Sequence, residues 1–174
     1  MTDALFPRYL GADFAALPGE VQALHRIDGT VTWRGTASVT RGTSLWPRLI
    51  AALFRFPKAV AETPVTVTMT PRPDGEVWVR QFGTSRFRSH LRLNAGRITE
   101  RFGPFTFDLN LHVAEDALHF PVTAGRIGPV PLPRRALPVS IAREYAADGR
   151  FRFDVAIHAP LTGALIVHYK GWLA

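Results

Sequence analysis

Cysteine is absent from the 174-residue chain, which removes in one step a disulfide framework, an iron–sulfur cluster and a thiol nucleophile. Lysine is nearly absent too, with Lys58 and Lys170 alone, so arginine carries almost all of the positive charge behind the net +7. The arginines are scattered instead of blocked together and no recognition motif accompanies them; nucleic acid is therefore not an expected partner. Long apolar runs are missing, and the opening MTDALFPRYLGADF has no positive leader ahead of an apolar core, so neither a membrane-spanning helix nor secretion is expected and a cytoplasmic location fits. Also missing are a phosphate loop, a dinucleotide fingerprint, a zinc-protease pair and a nucleophile elbow. No cofactor is expected. His112 and His119 run in the phase opposite to Leu111 and Leu118 and so face water, and no metal site is expected there.

What the chain does have is apolar mass, 47% of its residues, enough for one ordinary domain spanning 1–174. Short helical pieces are expected over 3–10 and 18–26, broken by Pro7, Gly11 and Pro18. Thr30 to Val39 alternates as a strand. Thr43 or Ser44 can then cap a helix in which Leu45, Trp46, Leu49, Ile50, Leu53 and Phe54 recur at helical spacing. Arg48, Arg55 and Lys58 make that segment basic. It is expected to cover the open end of a sheet, and contact with an anionic membrane through residues 44–56 is the alternative. From Val65 strand signals follow almost without pause, through a Pro71 to Gly75 turn, four strands over Gly75 to Leu109, and a strand at Leu118 to Val122. Gly125 to Pro138 is a proline-rich rim or lid. Val139 to Tyr145 and Phe151 to Ile157 pair across Asp148-Gly149, and Leu165 to Tyr169 is the last strand.

About ten strands in hairpin succession give a mainly β fold, an antiparallel curved sheet or barrel with a helical lid after the first strand. This order resembles the fatty-acid-binding-protein barrel. A helix-grip α+β fold is the alternative, although it ends in a long helix that VHYKGWLA does not resemble.

Turn parity fixes the faces. Loops with an even number of residues pair even-numbered with odd-numbered positions, so Trp78, Arg80 and Phe82 share a face with Phe87, Ser89, Leu91 and Leu93. Ile98, Glu100 and Phe102 follow on that face, then Phe105, Phe107 and Leu109, while Arg86, Arg88, His90 and Arg92 face water. With loops at Thr84-Ser85 and Asn94-Ala95, Arg80 stands opposite Ser89 and Ser89 opposite Glu100. An arginine and a glutamate then meet in an aromatic wall, either as an internal salt bridge or as a holder for a polar head group. The Asp148-Gly149 turn pairs Arg143 with Asp154 and turns Glu144 inward, a second internal carboxylate that could form an acid and base pair with Glu100.

Leu17-Pro18 with His25, Arg41-Gly42, Trp78-x-Arg80-x-Phe82, Glu100-Arg101-x-Gly103, Pro131-Leu132-Pro133, Pro160-x-x-Gly163 and Tyr169-x-Gly171-Trp172-Leu173 span most of the chain. In that order they resemble an uncharacterised bacterial domain family, found alone or fused behind saccharopine-dehydrogenase-like reductases. The resemblance implies association with a reductase and brings no activity. The expected function is binding of a lipid-like molecule or amphipathic anion in an apolar interior through Trp78, Arg80, Phe82, Ser89, Glu100, Phe107 and Glu144. The alternatives are an isomerase or hydrolase using Glu100 as acid or base, and an accessory interaction domain of a reductase.

Overall fold

Two-residue turns propagate one inward face along the middle of the chain. Strands β3 (Gly75–Phe82), β4 (Ser85–Asn94), β5 (Arg97–Phe102) and β6 (Phe105–Leu109) each hand their apolar set to the next without a change of phase. Gly83, Gly96 and Gly103 make this possible at φ of 54°, 75° and 55°, in the left-handed region that a side chain resists.

The computed structural model describes residues 4–174. The helical piece expected from residue 3 thus begins outside the described residues. The remaining strands are β1 (Val31–Arg41), β2 (Val60–Arg72), β7 (His112–Ala114), β8 (Ala117–His119), β9 (Val122–Ile127), β10 (Val130–Pro131), β11 (Val139–Ala147), β12 (Arg150–His158) and β13 (Leu165–Leu173). All belong to one 13-stranded sheet in the order β10-β9-β6-β5-β4-β3-β2-β1-β13-β12-β11-β8-β7, with every described pairing antiparallel.

Hydrogen bonds do not close this ladder into a ring, yet the chain joins its ends. β6 runs into β7 across Asn110-Leu111, and β8 into β9 across Phe120-Pro121, so one bent hairpin pairs with β5 at its base and with β11 near its tip. The Asn110 N–H donates to the Pro121 carbonyl at 3.0 Å and keeps the two segments together through the bend. The single strand expected at Leu118 to Val122 is therefore two, broken at Pro121, which has no N–H to give a ladder. That break and the short β7 and β10 explain why thirteen strands form where about ten are readable.

Close approach bends β1 against β13. A Cβ on Gly35 would lie 1.8 Å from the Trp172 carbonyl oxygen, and one on Gly171 2.2 Å from that of Thr36, so no side chain fits at either position. The Asp148-Gly149 hairpin forms as expected, with both residues at positive φ and Arg143 opposite Asp154.

Three helices cap the two ends of the curved sheet. At one end α1 (Leu5–Leu10), a 3-10 turn (Gly11–Ala16) and α2 (Gly19–His25) bury Phe6, Val21, Leu24 and His25. At the other, α3 (Leu45–Leu53) sits between β1 and β2, with Ser44 at its N-cap but no side-chain capping bond. Arg41 anchors the segment after it by donating to the carbonyls of Phe56 at 3.1 Å and Pro57 at 2.8 Å. No helix among the described residues is long and apolar enough to cross a membrane.

Candidate functional site

The inward face of this sheet does not fill its interior. A cavity of about 500 Å³ remains, walled by aromatic and aliphatic side chains such as Met69, Phe82, Phe107 and Phe153. Its polar lining is small: Arg80, Glu100, Ser140, Arg143, Glu144 and Tyr169.

Parity places the central group. Ser89 is completely buried and supports Arg80, whose Nη1–H donates to Ser89 Oγ at 2.8 Å and whose Nη2–H donates to Glu100 Oε1 at 3.2 Å. The guanidinium also lies 4.6 Å from the ring centre of Trp78 and 5.7 Å from that of Phe87, where the ring faces attract a cation. The detailed register differs from the expected one by two residues. The turns are Gly83-Thr84 and Ala95-Gly96, so Ser89 stands opposite Trp78, Phe87 opposite Arg80 and Leu91 opposite Glu100. A slip of two leaves every side chain on its face, and the arginine reaches its two partners diagonally. Both choices of turn are even-membered; the left-handed glycines decide between them.

Glu100 stands opposite Phe107, and Trp78, Phe82, Phe107 and Glu144 all line the cavity as their parity requires. Glu100 and Glu144 do not pair with each other: Glu100 accepts from Arg80, and Glu144 Oε2 accepts from His25 Nε2 at 2.5 Å. The expectation of an acid and base pair is corrected in that each carboxylate has its own partner. Glu144 Oε1 has no hydrogen-bond partner among the described residues.

Two residues of this site escape the sequence reading. Glu76 is 2% exposed and joins β3 to α1: Leu5 N–H donates to its Oε1 at 3.2 Å, and Trp78 Nε1–H to its Oε2 at 2.7 Å. Burial holds its carboxyl above the ordinary value of 4.5, opposed chiefly by the Trp78 bond. It shares parity with Trp78 and Arg80, which is the signal that could have found it. Tyr169 is the second. Burial pushes its hydroxyl up to about 12, with Arg80, Glu100 and Glu144 all close enough to act on it, so at neutral pH it remains a hydrogen-bond donor. It makes no side-chain hydrogen bond among the described residues.

His25 belongs to the core. Its ring stacks on Phe6 with centroids 3.8 Å apart and lies 5.8 Å from that of Trp78. Its Nε2 faces Glu144, and its Nδ1 is buried without a hydrogen-bond partner among the described residues. The sequence thus builds a layered site: a sealed end with His25, Glu144, Glu76 and Trp78, a middle with Arg80, Ser89, Glu100 and Tyr169, then an aromatic barrel of Phe82, Phe102 and Phe107 leading to the mouth.

That mouth is formed by α3, the 128–138 segment and the turn at Pro160-Leu161, since Trp46, Leu53, Ile127 and Leu161 both line the cavity and lie exposed. The expected helix after the first strand lies at this opening; of the expected proline-rich segment from Gly125 to Pro138, residues 125–127 instead belong to β9 and Val130–Pro131 form β10, because their backbone groups pair in the sheet.

The sequence matches the model of a family described as Domain of unknown function (DUF4166) over residues 17–173. No curated protein matches it. Among solved structures, a protein with unknown function from the DUF3598 family of Nostoc punctiforme PCC 73102 is similar over 82% of this chain and 45% of that one, with a TM-score of 0.47 and 12% identity. The chain therefore spans less than half the length of that protein.

Proposed function

We propose, for a chain that belongs to the DUF4166 family, the binding of an apolar small molecule that carries a neutral polar head. A volume of about 500 Å³ suits a ligand of modest size, within the range of ordinary small-molecule sites. The observation that carries the reading is the polar cluster at the depth of an otherwise apolar cavity. Arg80 is already matched by Glu100, and Glu144 adds a second carboxylate, so the cluster offers no surplus positive charge to an anion. What it offers is donors, the Tyr169 hydroxyl and the Arg80 N–H groups not engaged by Ser89 and Glu100, and acceptor oxygens on Glu100 and Glu144. A ligand hydroxyl can use both.

This favours an alcohol or monoacylglycerol over a fatty acid, against the amphipathic anion that an inward arginine alone invites. Glu100 positions Arg80, and the ion pair commits its Oε1 to the guanidinium. The test is a fluorescence titration with N-phenyl-1-naphthylamine, a neutral lipophilic dye, followed by competition. Displacement by long-chain alcohols at lower concentration than by the matching fatty acids supports the reading. Absence of dye uptake, together with nothing recovered by solvent extraction or native mass spectrometry of the purified protein, refutes it.

A further inference from the structure

The outer surface around the mouth has a composition that the interior does not explain. α3 and its C-cap turn Ile50, Ala51 and Phe54 inward, yet Leu45, Leu49 and Leu53 remain 77%, 65% and 64% exposed, at spacings of four that set them in one stripe. A helix apolar on all sides is ordinarily buried on all sides. Val130, Val139, Ile141 and Leu161 are also exposed, and Leu161 lines the opening. Among the described residues, the exposed large apolar side chains all fall in three segments, 43–58, 125–141 and 158–165, save Val60. Exposed apolar side chains concentrated in a few segments point to a docking surface.

Charge says what docks there. The three segments contain Arg48, Arg55, Lys58, Arg126, Arg134 and Arg135, and no aspartate or glutamate. Arg126 pairs with Asp108 at 3.5 Å; the other five make no ion pair among the described residues, and all five are exposed. Leucines flanked by unpaired cations, with acids excluded, complement a surface that is apolar beneath and anionic above.

We propose that the mouth docks on an anionic lipid bilayer, α3 lying in the headgroup region with Leu45 and Leu49 toward the acyl chains. This rests on the proposed binding of an apolar ligand, and it gives that ligand a route: the opening faces the lipid phase, so the ligand passes between bilayer and cavity without crossing water. A second copy of the chain is a poorer occupant, because two such surfaces would bring like charges together.

The test is flotation of the whole chain with vesicles of phosphatidylcholine, with and without phosphatidylglycerol, run beside the dye titration in vesicle-free buffer. Binding is expected only to the anionic vesicles and falls as salt rises. Arg134→Glu with Arg135→Glu lowers it by about tenfold to a hundredfold, and Leu45→Ser with Leu49→Ser by about tenfold. Neither leucine lines the cavity, so dye uptake in that variant is unchanged. Equal binding to neutral and anionic vesicles, no binding to either, or a dimer in sedimentation that the leucine variant abolishes overturns the proposal. If dye uptake fails while anionic flotation persists, the ligand reading falls and the docking reading stands; the reverse result separates them the other way.

Discussion

The two ends of the curved sheet solve opposite problems with the same kinds of residue. At the sealed end ionisable side chains go inside and each one named makes at least one hydrogen bond: His25 with Glu144, Glu76 with Leu5 and Trp78. At the mouth charged groups stay outside, five of six without an ion-pair partner among the described residues, and leucines face water. Burial makes a polar group expensive to leave alone, whereas exposure makes an apolar group only mildly costly. The difference assigns stability to one end and interaction to the other, and substitutions at each end can break that division.

The largest effect is expected at His25. His25→Phe keeps the ring stacked on Phe6 but strips Glu144 of its hydrogen bond, and loss of one member of a buried pair costs about 3–5 kcal/mol. Denaturant unfolding measures it. Adding Glu144→Leu to His25→Phe should recover much of the loss, because no unpaired carboxylate then remains. If the single variant loses less than about 1 kcal/mol, below the usual cost of an unsatisfied buried group, the sealed end is not the stabilising one.

Next comes Glu76. Both of its oxygens accept from N–H donors, so the amide of Glu76→Gln must set a donor against a donor, at a cost of about 1–3 kcal/mol when compared at acid pH. The variant also changes the pH profile. The folded-state value of Glu76 lies above 4.5, so the folded chain holds this proton more tightly than the unfolded one. Its contribution is therefore greatest below 4.5 and is lost as pH rises through the raised folded value. Unfolding midpoints taken across that window should fall with pH in the parent and lose this component in Glu76→Gln.

Much of this contrast is legible in the sequence and part is not, for physical reasons. Parity is robust: a slip of two residues misplaces Ser89 and Glu100 along their strands and still leaves them facing Arg80. Element number is fragile, since the three residues of β7 or the two of β10 cannot display an alternation. Glu144 follows from the Asp148-Gly149 turn, a local signal. Its partner His25 lies 119 residues away on a helix, and no periodicity predicts which strand a short helix will meet. Glu76 shares the inward phase of Trp78, but a glutamate at the start of a strand reads as the edge of a turn unless the helix that donates Leu5 is known to cover it. Arg41-Gly42 gains its sense only in three dimensions, where the arginine holds the carbonyls after α3 and a Cβ on Gly42 would lie 1.7 Å from the Leu165 carbonyl oxygen.

Between the ends, Arg80→Met tests whether the middle layer belongs to stability or to binding. Methionine can occupy the space beside Trp78, yet it leaves Glu100 and Ser89 without their donor, for which about 1–2 kcal/mol is expected. The contrast sharpens if dye competition changes as well. Removing the cation leaves the carboxylates in excess, so fatty acids should compete still less well against alcohols than they do in the parent. A stability loss with unchanged selectivity would make Arg80 and Glu100 a structural pair and move the interaction function wholly to the mouth.

The smallest stability effect is expected where the exposed apolar area is largest. Leu45 and Leu49 already contact water over most of their surface, so Leu45→Ser with Leu49→Ser removes little buried area, and unfolding should shift by no more than about 0.5 kcal/mol. The same change should lower anionic vesicle binding by about tenfold. That dissociation is the mirror of His25→Phe, which lowers stability without touching the docking surface. If the double serine variant unfolds more than about 1 kcal/mol too easily, beyond what exposed sites give, these leucines are packed in solution, and the mouth is a second sealed end instead of a surface held ready for a membrane.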